Sequence, residues 1–284
     1  MGYEMVELGG AARAGELRRE ARDLAEAVGQ VRLVVVVATD DESTAWYVRS
    51  ITRAAEKVGI DCTTVKLPPD TKPAAIREEL LALSADKTVH GVILQTPLPP
   101  AAKAADLAGA IAPEKDVDGA NPLSLGRLAA GLPAFAPATA EAVVSLLDAH
   151  GVALAGRTVA VVGRSTVVGK PLAHLLLDRD ATVTVCHSRT ADLAAATRTA
   201  DIVVAAAGRP GLIRAEHLAP GAVVVDVGTN ATEDGGLTGD VDAESVAGRA
   251  AALSPVPGGV GPVTTALLLR HTALAAQRAA AGGQ

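Results

Sequence analysis

The stretch TVAVVGRSTVVGKP (158–171) carries a β-branched run into Gly163 and sets Gly169 at the start of the next segment. A strand that turns sharply into a helix aims backbone N–H groups and the positive end of the helix dipole at one point, which suits an anion. The spacing is not Gly-x-Gly-x-x-Gly, because Ser165 stands where the second glycine would be. A plain structural turn fits this pattern nearly as well. The following apolar run, TVTVC (182–186), ends in His187-Ser188-Arg189-Thr190. Dinucleotide folds that take NAD place a carboxylate at that strand end, on the ribose 2′-hydroxyl. Here the end offers a hydroxyl and a cation, and Arg164 in the first turn adds a second cation. A 2′-phosphate is the group such a set receives, so the motif predicts NADP. Taken singly, Arg164 and Arg189 also read as solvated surface charges.

Other side chains with chemical potential are scattered. Asp116 and Asp118 lie in a loop rich in Pro and Gly, where a carboxylate accepts a pair of hydrogen bonds or simply caps a turn. Gln95 ends an apolar strand, the place where ligands gather in open α/β sheets, and it equally suits a satisfied buried amide. Tyr47 is one of very few aromatic residues, beside Trp46, Phe135 and Tyr3, and reads as core or as a ring beside a loop. The glycines at 258, 259 and 261 permit a tight turn. His90, His150, His174, His187, His217 and His271 show no metal-binding spacing, so no metal site is expected.

Positioning these groups requires alternating strands and helices. Residues 11–29 are rich in helix formers and stop at a glycine. A β-branched run follows at 31–37, then a helix over 44–58, a strand at 61–66, a helix at 73–84 and a strand at 90–95. Residues 112–139, with four prolines, read as loop. After a helix at 140–150 a second series begins: strand 158–162, helix 169–179, strand 181–186, helix 190–199, and strands at 201–206 and 222–227. A Pro/Gly segment at 252–263 precedes a last helix over 263–280. Uninterrupted apolar strands alternating with helices predict βαβ units with parallel sheets. The boundary between two lobes is expected near 140–150.

The chain has 284 residues, enough for two domains, and 49% of them are hydrophobic, which excludes a disordered protein. A net charge of −6 and the scarcity of aromatics argue against nucleic acid, which needs a basic face and stacking platforms. Two cysteines, Cys62 and Cys186, form no zinc or redox motif and suit a reducing compartment. Neither a signal sequence nor a membrane span is read, so a cytoplasmic protein without membrane partners is expected.

Several segments taken together resemble the bifunctional methylenetetrahydrofolate dehydrogenase/methenyltetrahydrofolate cyclohydrolase family. They are Tyr47-Val48, GVILQTPLP (91–99), PEKDVDGANP (113–122), GRSTVVGKP (163–171), TVTVCHSRT (182–190), ADIVVAAAGRPG (200–211), VVVDVGTN (223–230), GDVD (239–242) and PVPGGVGPVT (255–264). The series spans almost the whole chain, and 113–122 and 255–264 are its most specific members. The resemblance implies two α/β domains with a cleft between them. Residues 1–140 with 262–284 would form a folate-binding catalytic domain, and 141–261 a Rossmann-like NADP-binding domain. It implies a homodimer that oxidises 5,10-methylenetetrahydrofolate with NADP and hydrolyses the methenyl product. Tyr47 matches the tyrosine that stacks on the folate, Gln95 the glutamine beside the reacting carbon, and Asp118 the aspartate that grips the pterin. Pro97 and Leu98 follow Gln95 on the substrate side. Arg164, Ser165 and Ser188 match NADP contacts, with Gly163, Gly169, His187, Gly208, Gly228 and Thr229 on the same cofactor segments. Gly258, Gly259, Val260 and Pro262 match the loop that closes over substrate and nicotinamide.

One departure bears on the chemistry. The family's catalytic lysine stands four residues after the tyrosine, and Ile51 occupies that position. Arg49, Arg53 and Lys57 fall off that face of the helix. Adding water to the methenyl carbon requires a group able to exchange a proton, which isoleucine cannot do. Hydride transfer depends on alignment of two carbons and on the cofactor. The expectation is a dehydrogenase, weakened or intact, with a poor or absent cyclohydrolase. A paralogue acting on a related cyclic aminal or imine, and a non-catalytic folate- and NADP-binding protein, are the alternatives. The family's PCTPxG segment is altered to Pro137-Ala138-Thr139-Ala140-Glu141-Ala142, and the glycine after the first strand is missing from VATDDEST (37–44).

Overall fold

The computed structural model describes residues 4–232 and 235–282. In chain order they form β1 (Val6–Glu7), α1 (Ala11–Val28), β2 (Arg32–Val37), α2 (Glu42–Glu56), β3 (Asp61–Lys66), α3 (Pro73–Ala85), β4 (Gly91–Leu94), α4 (Ala104–Ala108), α5 (Pro122–Ala129) and α6 (Ala138–Ala149). The chain continues through β5 (Thr158–Val162), α7 (Gly169–Leu177), β6 (Thr182–Cys186), α8 (Leu193–Thr197), β7 (Ile202–Ala205) and β8 (Val223–Asp226). It ends with β9 (Asn230–Ala231), β10 (Leu237–Thr238), α9 (Ala243–Val246), β11 (Ala252–Leu253) and α10 (Val260–Gly282).

Two compact units result. One comprises Gly15–Ala138 with the chain from Thr265 onward, the other the described residues up to Ala14 with Thr139–Thr264. The first holds a parallel three-stranded sheet in the order β3-β2-β4. Val34 of β2 pairs with Thr63 on one side and Val92 on the other. Leu33 to Val37 are buried, as expected of a strand covered on both faces. The Asp41 carboxylate caps α2 by accepting the Thr44 N–H at 2.7 Å. Thr44, Val48, Ile51 and Ala55 then recur at helical spacing and form its buried face. Ile51 is 0% exposed, worth roughly 2–3 kcal/mol of apolar burial.

The second unit holds a parallel six-stranded sheet, β1-β11-β8-β7-β5-β6. β5 lies between β6 and β7, so the chain reverses its direction of travel across the sheet there. The crevice at the carboxyl ends of such neighbouring strands is where open α/β sheets bind ligands. Two glycines let the backbone close up at this point. A Cβ on Gly169 would collide with the Gly163 carbonyl, and one on Gly163 with the Ala206 carbonyl. In β2, the equivalent reversal lies between β3 and β4.

Three sequence expectations change. Residues 112–139 are not all loop: α5 forms because Asn121 caps it, accepting from the Leu123 N–H at 2.7 Å, and Pro122 opens its first turn. The helix expected over 190–199 is confined to α8, whose Asp192 cap fixes its start. The first residues, grouped by sequence with the catalytic domain, lie with the six-stranded unit because β1 pairs in parallel with β11.

Gly169→Ala is expected to lower stability by about 1–3 kcal/mol, since helix and strand end must separate to admit the methyl group. Urea denaturation checks this, and an unchanged midpoint would refute the close approach.

Candidate functional site

Two sets of side chains gather at the strand ends of the two sheets. In the three-stranded unit, Gln95 follows β4 and is half-buried, its amide donating to the Thr96 carbonyl at 2.8 Å. A cis peptide joins Thr96 to Pro97, which is exposed, and Leu98 is partly covered. Tyr47 lies in α2, one turn before Ile51, and its hydroxyl is hydrogen-bonded to Thr265 of α10. Burial, and then the charge of Asp118, push the Tyr47 phenol up to about 12, so it stays neutral.

The two aspartates divide the work. Asp116 bridges to Val92 beside β4, and its carboxylate accepts the N–H groups of Ala120 and Asn121, both at 2.9 Å. It is fully buried and holds the loop, the capping use that residue chemistry alone suggested for Asp118. Asp118 instead faces Tyr47. Burial, reinforced by the Asp116 charge, raises its carboxyl to about 7, against the opposing pull of His271 and the Ala138 N–H. Gly119 adopts φ +62°, and a Cβ there would strike the Phe135–Pro137 backbone, so the loop passes closely under Asp118.

His271 has no mark in the sequence beyond its lack of metal-binding spacing, yet it is 2% exposed and sits against this loop. Its Nδ1 lies 2.8 Å from the Val117 carbonyl, which only accepts, so Nδ1 carries the hydrogen. The ring packs 4.8 Å from the Phe135 ring, over which Arg278 also lies. Thr265 was missed as well. A signal existed in the polar pair His271-Thr272, which interrupts the apolar face of α10, although its partners are distant in sequence.

In the six-stranded unit, Arg164 to Val167 are exposed after β5. The Ser165 hydroxyl accepts the Val168 N–H at 3.1 Å, and its carbonyl accepts the Lys170 N–H, also at 3.1 Å. Among the described residues the N–H groups of Ser165, Thr166 and Val167 meet no acceptor. At the end of β6, His187 Nδ1 accepts the Arg189 N–H at 3.1 Å, and Thr190 Oγ1 accepts the His187 N–H at 2.9 Å. This turn leaves Ser188 and Arg189 exposed. Neither Arg164 nor Arg189 has an acidic partner among the described residues. The set can hold a phosphate.

Gly208 and Gly228 play a different part. The Gly208 N–H donates to Asp240 at 2.8 Å and the Gly228 N–H to Asp226 at 2.9 Å, so neither offers a free donor. They shape the rim, with Thr229 exposed beside them, and a Cβ on Gly228 would collide with Asp240. Asp240 also accepts the Ala207 and Arg209 N–H groups, at 2.6 and 2.8 Å. Gly258, Gly259, Val260 and Pro262 belong to this unit. The Gly10 N–H holds the Gly258 carbonyl at 2.8 Å, and the Gly259 N–H bonds to Pro255 at 2.8 Å. Among the described residues no group of histidine, cysteine or acidic side chains could hold a metal ion, and no helix is long and apolar enough to cross a membrane.

Known proteins share this arrangement. Residues 8–118 match the model of the tetrahydrofolate dehydrogenase/cyclohydrolase catalytic domain, and residues 137–280 that of its NAD(P)-binding domain. A bifunctional protein FolD 1 of Saccharopolyspora erythraea is 69% identical over 247 residues, 87% of this chain and 84% of that one. The crystal structure of FolD methylenetetrahydrofolate dehydrogenase/cyclohydrolase from Campylobacter jejuni superposes with TM-score 0.93 at 36% identity, covering 96% of this chain and 99% of that one. The methylenetetrahydrofolate dehydrogenase-cyclohydrolase of Trypanosoma brucei, solved with NADP and an inhibitor, superposes with TM-score 0.91 at 37% identity, covering 97% and 98%.

The raised Asp118 pKa has a defined sign in stability. The folded protein keeps a proton that the unfolded chain, near 3.8, gives up, so the contribution is complete at low pH and is lost as pH rises from about 4 to about 7. Asp118→Asn is expected to flatten the pH dependence of unfolding across that window. A carboxyl resonance of Asp118 titrating near 4 by NMR would refute the assignment.

Proposed function

The chain belongs to the tetrahydrofolate dehydrogenase/cyclohydrolase family, and on that premise we propose that it is an NADP-dependent 5,10-methylenetetrahydrofolate dehydrogenase with little or no cyclohydrolase activity. The six-stranded unit carries the family's NAD(P)-binding domain. Preference for NADP is supported by the residues present: unengaged N–H groups at 165–167, two unpaired arginines, and no carboxylate at the end of β6. Arg164, Ser165, Ser188 and Arg189 would receive the 2′-phosphate. When bound, NADP supplies the hydride acceptor.

The chain's own residues then bind and orient. Tyr47 offers a neutral ring for the folate to stack on. Asp118, as a carboxylate, accepts a pair of hydrogen bonds from the amino-pyrimidine edge, with Pro97 and Leu98 flanking it. Gln95 stands beside the reacting carbon. Alignment of this kind suffices for hydride transfer. Water addition to the methenyl carbon needs a proton-exchanging group, and the single observation against that step is Ile51, fully buried on the face of α2 that carries Tyr47. The relatives' names pair both activities, and this proposal departs from them in the second. Homodimer formation and a cytoplasmic location belong to the same reading.

Purified protein is expected to form NADPH at 340 nm from methylenetetrahydrofolate, with NAD a far weaker substitute. Methenyltetrahydrofolate should decay near its uncatalysed rate, and Ile51→Lys should raise that decay about 10²-fold or more. Rapid methenyl hydrolysis by the unmodified chain would overturn the split between activities. Asp118→Ala should raise KM for the folate well above its effect on KM for NADP, measured by initial rates.

A further inference from the structure

Two pieces of backbone orient Asp118, and one buried side chain touches both. Val117 is fully buried, and no backbone N–H among the described residues donates to its carbonyl. That carbonyl lies in the same rigid peptide plane as the Asp118 nitrogen, so turning the one turns the other. A buried carbonyl needs a donor, and this one has His271 Nδ1 at 2.8 Å. On the other side, the Ala138 N–H donates to the Asp118 carboxyl, and the segment leading to it begins at Phe135. The His271 ring packs against Phe135, tilted by 31° with the centroids 4.8 Å apart.

Helix α10, which carries His271, is itself fixed against this loop. A Cβ on Gly91 of β4 would meet the Thr272 side chain at 2.9 Å and Val117 at 3.0 Å, so strand, helix and loop meet without a gap. Thr272 keeps its hydroxyl for its own helix, on the Leu268 carbonyl at 2.8 Å, and His271 reaches the loop. Arg278, one heptad further along α10 and therefore on the same face, lies 4.8 Å from the Phe135 centroid. The titratable and charged groups gathered here are Asp116, Asp118 and Tyr47, with Arg278 beyond the Phe135 ring. We propose that His271 is a positioning residue of the folate subsite, an assignment that rests on the folate reading of Asp118. It fixes the peptide before Asp118 and, through Phe135, the segment that donates to its carboxyl. The carboxylate then meets the amino-pyrimidine edge in one orientation. An apolar side chain at position 271 leaves the Val117 carbonyl buried without a donor and frees that peptide to swing.

The test uses the full chain and compares His271→Leu, which fills the space without a donor, with His271→Asn, whose amide nitrogen falls close to the place of Nδ1. Initial rates give kcat and both KM values. His271→Leu is expected to raise KM for methylenetetrahydrofolate at least about fivefold, with kcat and KM for NADP within about twofold. His271→Asn should recover most of the lost affinity. If the leucine variant does not fold, His271→Gln replaces it, since its amide sits one bond further out, and the same rise in KM is expected. An unchanged folate KM in the leucine or glutamine variant overturns the proposal. So does a joint loss of kcat and of affinity for both substrates that asparagine fails to relieve. A second readout needs no turnover, the Asp118 carboxyl resonance followed by NMR. His271 pulls the Asp118 pKa down, so that carboxyl is expected to titrate higher in each variant than in the unmodified protein. No displacement overturns the proposal. Displacement in a protein that forms no NADPH from methylenetetrahydrofolate rejects the dehydrogenase reading and keeps His271 as the residue that sets Asp118.

Discussion

Asp116, Asp226 and Asp240 are withdrawn from water, and a carboxylate without hydration must accept hydrogen bonds from donors held in place. Each finds them in the backbone of a loop at the end of a strand. Asp116 takes the N–H groups that start α5. Asp226 takes those of Gly228, Asp240 and Val241, each at 2.9 Å, and Asp240 takes those of Ala207 to Arg209. Three loops thereby acquire one conformation each. These loops carry the half-buried Asp118 and the exposed Thr229, and the layer of hydrogen bonds holds both in place.

Asp118 is the carboxylate left short of donors. It has the Ala138 N–H and a nearby histidine, set against burial and the neighbouring Asp116 charge, and its proton is consequently held to about 7. A fully satisfied aspartate would be a structural strut. A partly satisfied one remains able to take up a ligand's donors, the condition expected at a binding site. Tyr47 shares the same environment and answers in the same direction, its phenol held neutral by burial.

Helix α2 presents three faces with different surroundings. Its buried stripe, Thr44, Val48, Ile51 and Ala55, joins the core. Tyr47 stands beside that stripe at the site, and Trp46, Arg49 and Arg53 face outward, lining a cavity with Arg18 of α1. Isoleucine at position 51 makes the inner face wholly apolar, which favours packing over chemistry. Arg49 and Arg53 do not share that face, since two residues along a helix is more than half a turn around it.

Much of the fold was legible because burial on both faces leaves a local mark: the valine runs of β2, β5, β7 and β8 need no partner to be recognised as parallel strands. The close strand-to-helix turn was legible from Gly163 and Gly169, and so was the absence of a carboxylate after β6. The Asn121-Pro122 start of α5 was present in the sequence and went unread among four prolines. Other features had no local mark. A two-residue strand such as β1 has no periodicity, and it is identified only by pairing with β11 across most of the chain. Asp240 cannot be told from a solvated aspartate until residues 207–209 are brought to it. Likewise His271 and Thr265 become members of the site only when α10 lies against the 116–118 loop. Sequence by itself determined most of the elements, the family and the isoleucine at position 51, because these depend on residue type and near spacing. Tertiary structure decided which aspartate is strut and which is site, because desolvation is a property of everything packed around a group and of nothing in its own neighbourhood along the chain.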